Sequence, residues 1–327
     1  MDELFKNIYK LEVPLVGNPL KEVNDYLIRG REGDFLIDTG LRTNECRDAL
    51  FSQLAELNVD RKKLNVLLTH MHFDHSGLVT EAAGEDGHIY ISSTDYGVLL
   101  NRLTGRTNKK QDDLYREYGF PEELLERMEN KGSLLFQGPV KIDGRFRELD
   151  DGDIVLAGDY ELRTIVVPGH TPGSCMFWNE QNGIMFTGDH ILFDITPNIT
   201  CSVDMQDLLG HYLDSLATVR EYPVQFALPG HRKSGAYRER VDQILEHHRK
   251  RLDEIQNILA EGRWQTAYQT AQKMKWRIES KSWEDFPLNQ KWFAFGECLS
   301  HLEYLEKRGK VERVWIDGIW YWNRVSL

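Results

Sequence analysis

The sequence predicts an α/β fold that carries a metal site at the ends of its strands. Three observations lead there. Short β-branched or apolar runs alternate with segments of helical period, and the later runs are bounded by Gly, Asp or Pro. Four potential metal ligands, His70, His72, Asp74 and His75, crowd into six residues directly after the apolar stretch Leu64–Thr69. With 327 residues, the chain is long enough for one large or two medium domains with a well-buried core.

In order along the chain, Tyr26–Arg29 and Phe35–Gly40, separated by a loop containing Gly30 and Gly33, read as a hairpin. Asn44–Leu57 has helical spacing and precedes a strand at Val66–Leu68, which sets a strand, helix, strand rhythm. From about Asp95 to Arg147 the period changes to helical, with helices at Tyr96–Leu103 and Gln111–Met128, the latter interrupted by Gly119 and Pro121. Strand signals resume at Asp153–Leu156, Leu162–Val167, Ser174–Trp178 and Ile184–Thr187. A helix at Met205–Glu221 and a strand at Gln225–Leu228 follow, the strand leading into Pro229-Gly230-His231.

After about Tyr237, apolar positions from Val241 to Leu259 recur at helical spacing through a strongly charged segment, the pattern of a helix with one buried stripe. Thr266–Arg277 and Leu288–Arg308 read as two more helices, the last ended by Gly309. Asp317-Gly318, between the aromatic-rich runs that end the chain, is a hairpin signal. This divides the chain into residues 1–236, with a helical excursion at about 95–147, and residues 237–327, a linker helix followed by a small domain.

A net charge of −12 argues against general affinity for nucleic acid or anionic membranes, whose phosphates repel an acidic surface. The four cysteines are far apart and form no Cys-x-x-Cys pair, so neither a disulfide framework nor a zinc ribbon is expected. The first residues lack a basic stretch followed by an apolar one, and no run of about 18 apolar residues occurs. The expectation is a soluble, cytoplasmic protein.

Imidazole nitrogen and carboxylate oxygen together suit zinc, iron or manganese better than calcium or a thiolate-seeking ion. Six residues cannot close around one metal. His70 and His72 can face one way while Asp74 and His75 face another, so the run serves two metals if later segments supply partners. Three segments offer them, each directly after an expected strand: Pro168–Gly173 with His170, Thr187–His190 with Asp189, and Pro229–His231 with His231.

In that combination the chain resembles the metallo-β-lactamase-fold hydrolases of the glyoxalase II-like type, over roughly residues 5–235. The resemblance implies an αββα sandwich, two mixed sheets between helical layers with the metals at one edge. It also implies that His70, His72 and His170 hold one divalent ion and that Asp74, His75 and His231 hold the other. Asp189 would bridge them. Zinc is the foremost expectation, with iron and manganese compatible. Asp38, in Leu36-Ile37-Asp38-Thr39-Gly40, matches the family's aspartate that hydrogen-bonds a ligand histidine and fixes its tautomer. Two cations about 3.5–4 Å apart would lower the pKa of a shared water toward about 7 and so generate the attacking hydroxide. Asp74 and Asp189 are then the expected catalytic carboxylates, and His190 lies where it can reach a leaving group. A cysteine in the bridging position would suggest β-lactam chemistry, but Asp189 stands there.

The expected activity is hydrolysis of a small ester, thioester or lactone. A phosphodiesterase or endoribonuclease is the alternative, since two metals equally clamp phosphate, and a non-catalytic metal-binding regulatory protein is a third reading. The last 80 or so residues resemble the winged-helix appendage of some members of the superfamily. Lys281–Leu327 holds seven Lys or Arg and seven Asp or Glu, which disfavours nucleic acid and leaves subunit contact, as in a homodimer, or pocket closure. Tyr96, Tyr115, Tyr118 and Met128 are either pocket liners or packing residues. Cys175 and Cys201 read as small buried residues, and His88, His211, His247, His248 and His301 have no ligand context.

Overall fold

Two β-sheets share a buried apolar layer. The computed structural model describes residues 1–103, 106–130, 142–261, 263–277, 280 and 282–325. The first sheet takes its seven strands in chain order: β1 (Asp2–Phe5), β2 (Ile8–Pro14), β3 (Glu22–Ile28), β4 (Phe35–Ile37), β5 (Asn65–Leu67), β6 (Ile89–Ser92) and β7 (Phe146–Leu149). Strands β1 to β4 pair antiparallel, and β4 to β7 pair parallel. The parallel pairs need crossovers, which is why helices enter at these points. They are α1 (Asn44–Glu56) between β4 and β5, the single turns α2 (Phe73–Ser76) and α3 (Val79–Ala82) between β5 and β6, and then α4 (Ser93–Leu103), α5 (Arg106–Glu117) and α6 (Glu122–Asn130).

The second sheet has the order β12 (Phe226–Pro229), β11 (Ile184–Gly188), β10 (Cys175–Asn179), β9 (Tyr160–Val166), β8 (Ile154–Ala157). Only its β11–β12 pair is parallel, and α7 (Leu208–Val219) lies between those strands in the chain. Both sheets supply the layer between them, including Tyr26, Ile28, Ile37 and Leu67 from the first and Leu162, Phe177, Phe186 and Leu228 from the second. The outer face of the first sheet buries Leu11, Val13 and Val66 against Leu50 and Leu54 of α1 and Val98 and Leu99 of α4. Against the second sheet, Trp178 meets Tyr222 edge-on and the Tyr237 hydroxyl donates to the Val219 carbonyl. This is the αββα arrangement that the sequence led us to expect.

Two compact units emerge, and they are not contiguous blocks. The first takes Met1–Leu100, Gln137–Pro197 and Ser215–Val241; the second takes Asn101–Phe136, Asn198–Asp214 and Asp242–Leu327. The sequence reading instead made one division, at 236/237. The difference arises because Tyr115 and Phe120 of the excursion bury with Ile255 of α8 (Tyr237–Leu259), Ala271 of α9 (Ala267–Lys273) and Phe295 of α10 (Leu288–Lys307). Sequence spacing shows that such residues need a partner, not which one.

The excursion also closes earlier than 147, since Phe146 and Arg147 already pair in β7; its residues 131–141 lie outside the described ones. The chain ends in the hairpin β13 (Val311–Ile316) and β14 (Ile319–Arg324). Asp317 and Gly318 both take positive φ, 49° and 86°, as a two-residue turn of this type requires. Among the described residues, no helix is long and apolar enough to cross a membrane.

Candidate metal centre

The first unit contains all seven ligands expected from the sequence, and it brings them together. His70 to His72 follow β5 in a bend outside regular structure. His72 then caps α2 with φ −60° and ψ 146°, so Asp74 and His75 sit on a helical turn, and the His75 ring comes back to 4.2 Å from the His70 ring, centroid to centroid. The Ser76 hydroxyl locks this corner by bonding the carbonyls of Met71 and His72, both at 3.0 Å. The loop after β9 supplies His170. Asp189 follows β11 directly, where Gly188 takes φ +48° and a Cβ would stand 2.7 Å from that of Thr69. His231 follows β12.

Ligand atoms gather in three overlapping groups, each with its atoms within 4.8 Å of one another: His70, His72 and His170; His70, His75 and Asp189; Asp74, His75 and His231. His72 Nδ1 lies 3.1 Å from His70 Nε2 and 3.0 Å from His170 Nε2. Asp189 reaches several rings at once. Its Oδ1 is 3.5 Å from His75 Nε2, and its Oδ2 is 3.3 Å from His231 Nε2 and 3.7 Å from His170 Nε2. Asp74 Oδ2 is 3.5 Å from His231 Nε2.

The surrounding groups fix which nitrogen of each ring faces inward. Asp38 adopts φ +62° at the end of β4 and accepts from the Thr69 N–H (2.9 Å), the Thr69 hydroxyl (2.8 Å) and His75 Nδ1 (2.8 Å). Because its hydroxyl proton points to Asp38, Thr69 Oγ1 can only accept from His70 Nδ1, 3.0 Å away. His231 Nδ1 donates to the Glu22 carbonyl at 2.6 Å. The Nε2 atoms of His70, His75 and His231 therefore all point into the centre, and those of His75 and His231 face each other at 3.2 Å. At that distance the two nitrogens cannot both present lone pairs unless a proton or a metal cation lies between them.

Tetrahedral zinc bonds of about 2.0–2.1 Å leave neighbouring ligand atoms about 3.3 Å apart, close to these separations. The donors thus fit a divalent cation. The charges of these side chains compensate one another. Burial opposes a charge on His231, but the Asp189 carboxylate and hydrogen bonds to Asp189 and Asp74 outweigh it and push the ring up to about 10. Burial likewise opposes ionisation of Asp189, yet His231 and His75 hold it well below the ordinary carboxylate range. The centre attracts positive charge.

His70, His75 and His231 are at most 1 % exposed, whereas His72, Asp74 and His170 are only partly buried. The approach for a substrate is therefore on the side of those three. Expected near the bridge, His190 lies fully buried next to Asp189, and burial, then the neighbouring His170, hold its ring neutral, down to about 3.

Several positioning groups carried no signal in the sequence. Asn24 Nδ2 holds the carbonyls of Pro229 and Arg232, each at 2.9 Å, and the Tyr26 hydroxyl also bonds the Pro229 carbonyl, at 2.8 Å. Both residues project from β3 toward the loop bearing His231. Asp25, between them on the opposite face, accepts no hydrogen bond among the described residues, and burial, then the charge of Asp38, push its pKa well up. An Asn-x-Tyr alternation on one strand face was the visible trace, but nothing in it names the loop it grips.

Tyr96 stacks on Phe146, and Tyr115, Tyr118 and Met128 are buried, the two tyrosines in the apolar cluster of the second unit. His248 and His301 are a buried pair joined Nδ1 to Nε2 at 3.1 Å. Cys175 and Cys201 are buried thiols, as expected.

Imidazole and carboxylate ligands gathered at one edge of an αββα sandwich are the equipment of a metal-dependent hydrolase, and this is the class that fold and site define. The chain belongs to the metallo-beta-lactamase superfamily, whose model matches residues 19–231. It is similar to the human acyl-coenzyme A thioesterase MBLAC2, with 27% identity over 218 residues, 64% of this chain and 72% of that protein. It also resembles the probable metallo-hydrolase YqjP of Bacillus subtilis, with 24% identity over 92% of this chain and 93% of that one. Among solved structures, the metallo-beta-lactamase family protein TTHA1429 of Thermus thermophilus superposes with a TM-score of 0.82 at 28% identity, covering 99% of this chain and all of that one.

Proposed function

We propose that the protein uses two divalent metal ions to hydrolyse a small ester, thioester or lactone, with an acyl thioester as the foremost substrate class. The observation that carries this reading is the placement of Asp189, one carboxylate within 3.7 Å of rings from both ligand groups, His170 of one and His75 and His231 of the other. The likeness to an acyl-coenzyme A thioesterase supports the thioester. When bound, the cations would supply Lewis-acid polarisation and an acidified water. In the roles we assign, His70, His72 and His170 hold one ion, Asp74, His75 and His231 hold the other, and Asp189 serves both. Asp38 and the Glu22 carbonyl keep the His75 and His231 rings in the ligating tautomer.

A thiolate, with a pKa near 8.5, departs without needing a proton. His190, held neutral, would then serve as an N–H donor rather than as an acid. We read the enzyme as cytoplasmic, with small molecules rather than nucleic acid as its partners, and residues 237–327 as a winged-helix-like appendage suited to subunit contact.

The test is a panel assay of the zinc-loaded protein on acyl-coenzyme A thioesters, aryl esters, lactones, a phosphodiester and RNA. Losing a partner behind a metal ligand costs about 10–100-fold, so Asp189→Ala, which removes a ligand, should lower kcat/KM on the hydrolysed substrate at least ~100-fold. Its circular dichroism should match the wild type. Full turnover by Asp189→Ala would overturn the metallohydrolase reading, and cleavage of RNA with no acyl hydrolysis would overturn the substrate class.

A further inference from the structure

Asp95, the third residue of α4, has no ligand role and lies outside every sequence motif, yet its carboxylate is fully buried beside the centre. It accepts hydrogen bonds from two ligand-bearing segments. The Met71 N–H, between His70 and His72, donates to Oδ2 at 2.9 Å. From the segment that carries His170, the Thr171 hydroxyl donates to Oδ2 and the Gly173 N–H to Oδ1, each at 2.7 Å. The approach is close enough to require glycine at 173, where a Cβ would stand 2.4 Å from both Asp95 N and Ser92 Oγ. Ser92 completes the clasp by donating to the Gly173 carbonyl at 2.5 Å.

The two segments tied to this one carboxylate are those whose rings meet at His72 Nδ1 and His170 Nε2, 3.0 Å apart. Asp38 bonds His75 directly and reaches His70 through Thr69. We infer that Asp95 is the positioning residue for the ligand group His70, His72 and His170, setting the separation of His72 from His170 and hence the affinity of the metal held there. Asp38 governs the group that contains His75. This assignment rests on the two-metal reading above.

The experiment is a zinc titration of the full chain with histidine rings labelled with nitrogen-15, following each ring by NMR in wild type, Asp95→Asn and Asp38→Asn. In Asp95→Asn, the midpoints for His72 and His170 should move about 10–100-fold to higher zinc. Those for His75 and His231 should stay within about twofold of wild type, as for an independent site. Asp38→Asn should move His75 most, with His70 following through Thr69. Thr171→Val removes one of the three donors and should shift the same two rings by less, which keeps the test intact if Asp95→Asn folds poorly. A parallel shift of all rings, or none, in Asp95→Asn and Thr171→Val of a chain whose wild type binds two zinc ions overturns this inference alone. A wild type whose rings do not respond to zinc overturns the two-metal reading and this one with it.

Discussion

Gly230 shows how little room the centre leaves. A Cβ at this position would stand 2.6 Å from Asp189 Oδ1 and 2.8 Å from His75 Cε1, so a single methyl group pushes directly on two ligands. Gly230→Ala should therefore weaken zinc binding by about 10–100-fold, as the loss of a supporting contact does. Measured by chelator competition, unchanged affinity would show that the crowding is relieved elsewhere. The candidate ligands were readable in the sequence because each is a chemically distinctive residue placed at or near the end of an apolar run. Asn24, Tyr26 and Asp95 were not, because a polar residue within a strand or near a helix start looks the same whether it grips a distant loop or a solvent molecule.

Between α8 and α10, burial sets two opposite pH responses. His301 Nδ1 donates to the Glu297 carbonyl at 2.7 Å, so its Nε2 accepts from His248 Nδ1, and burial holds His301 down to about 3. An unfolded chain would protonate this histidine as pH falls through about 6.5, while the folded chain resists until near 3. The unfolded state thus binds more protons across that window, and stability from this group is lost as pH falls. Glu303 runs the other way. Burial raises it to about 7, so the folded state keeps a proton that the unfolded state releases above about 4.3, and its contribution fades as pH rises through that interval. Relative to wild type, His301→Leu should gain about 1–2 kcal/mol between pH 7 and pH 5, and Glu303→Gln should lose stability over the same change. Urea unfolding at the two pH values measures both, and parallel behaviour of wild type and variants would contradict the assignment.

For the chain taken entire, the centre concentrates its own demands in one unit. The inward nitrogens of His70, His75 and His231 converge on Asp74 and Asp189, whose carboxylates are held ionised, an arrangement that a metal cation can stabilise. Chelation should accordingly lower the stability of the first unit, by about 2.7 kcal/mol where free zinc had been a hundredfold above its Kd. In calorimetry the transition of the second unit, whose described core contains no ligand of the centre, should stay where it was. A chelator that moves neither transition would show that the folded chain gains nothing from metal.

Periodicity, turn chemistry and residue type are local properties, and they sufficed to locate most strands and helices, the hairpin at Asp317-Gly318 and seven candidate ligands, since each depends on neighbours a few positions away. Which of those ligands face one another does not. His72 and His170 stand 98 positions apart, and His75 and His231 stand 156 apart. Their meeting depends on the order in which strands pair and on buried groups, such as Asp38 and Asp95, that hold one loop to the next. The same holds for the second unit, assembled from three separate stretches because their apolar faces bury only against each other. Chain-distant packing is settled by topology and excluded volume, and no short stretch of sequence encodes either one.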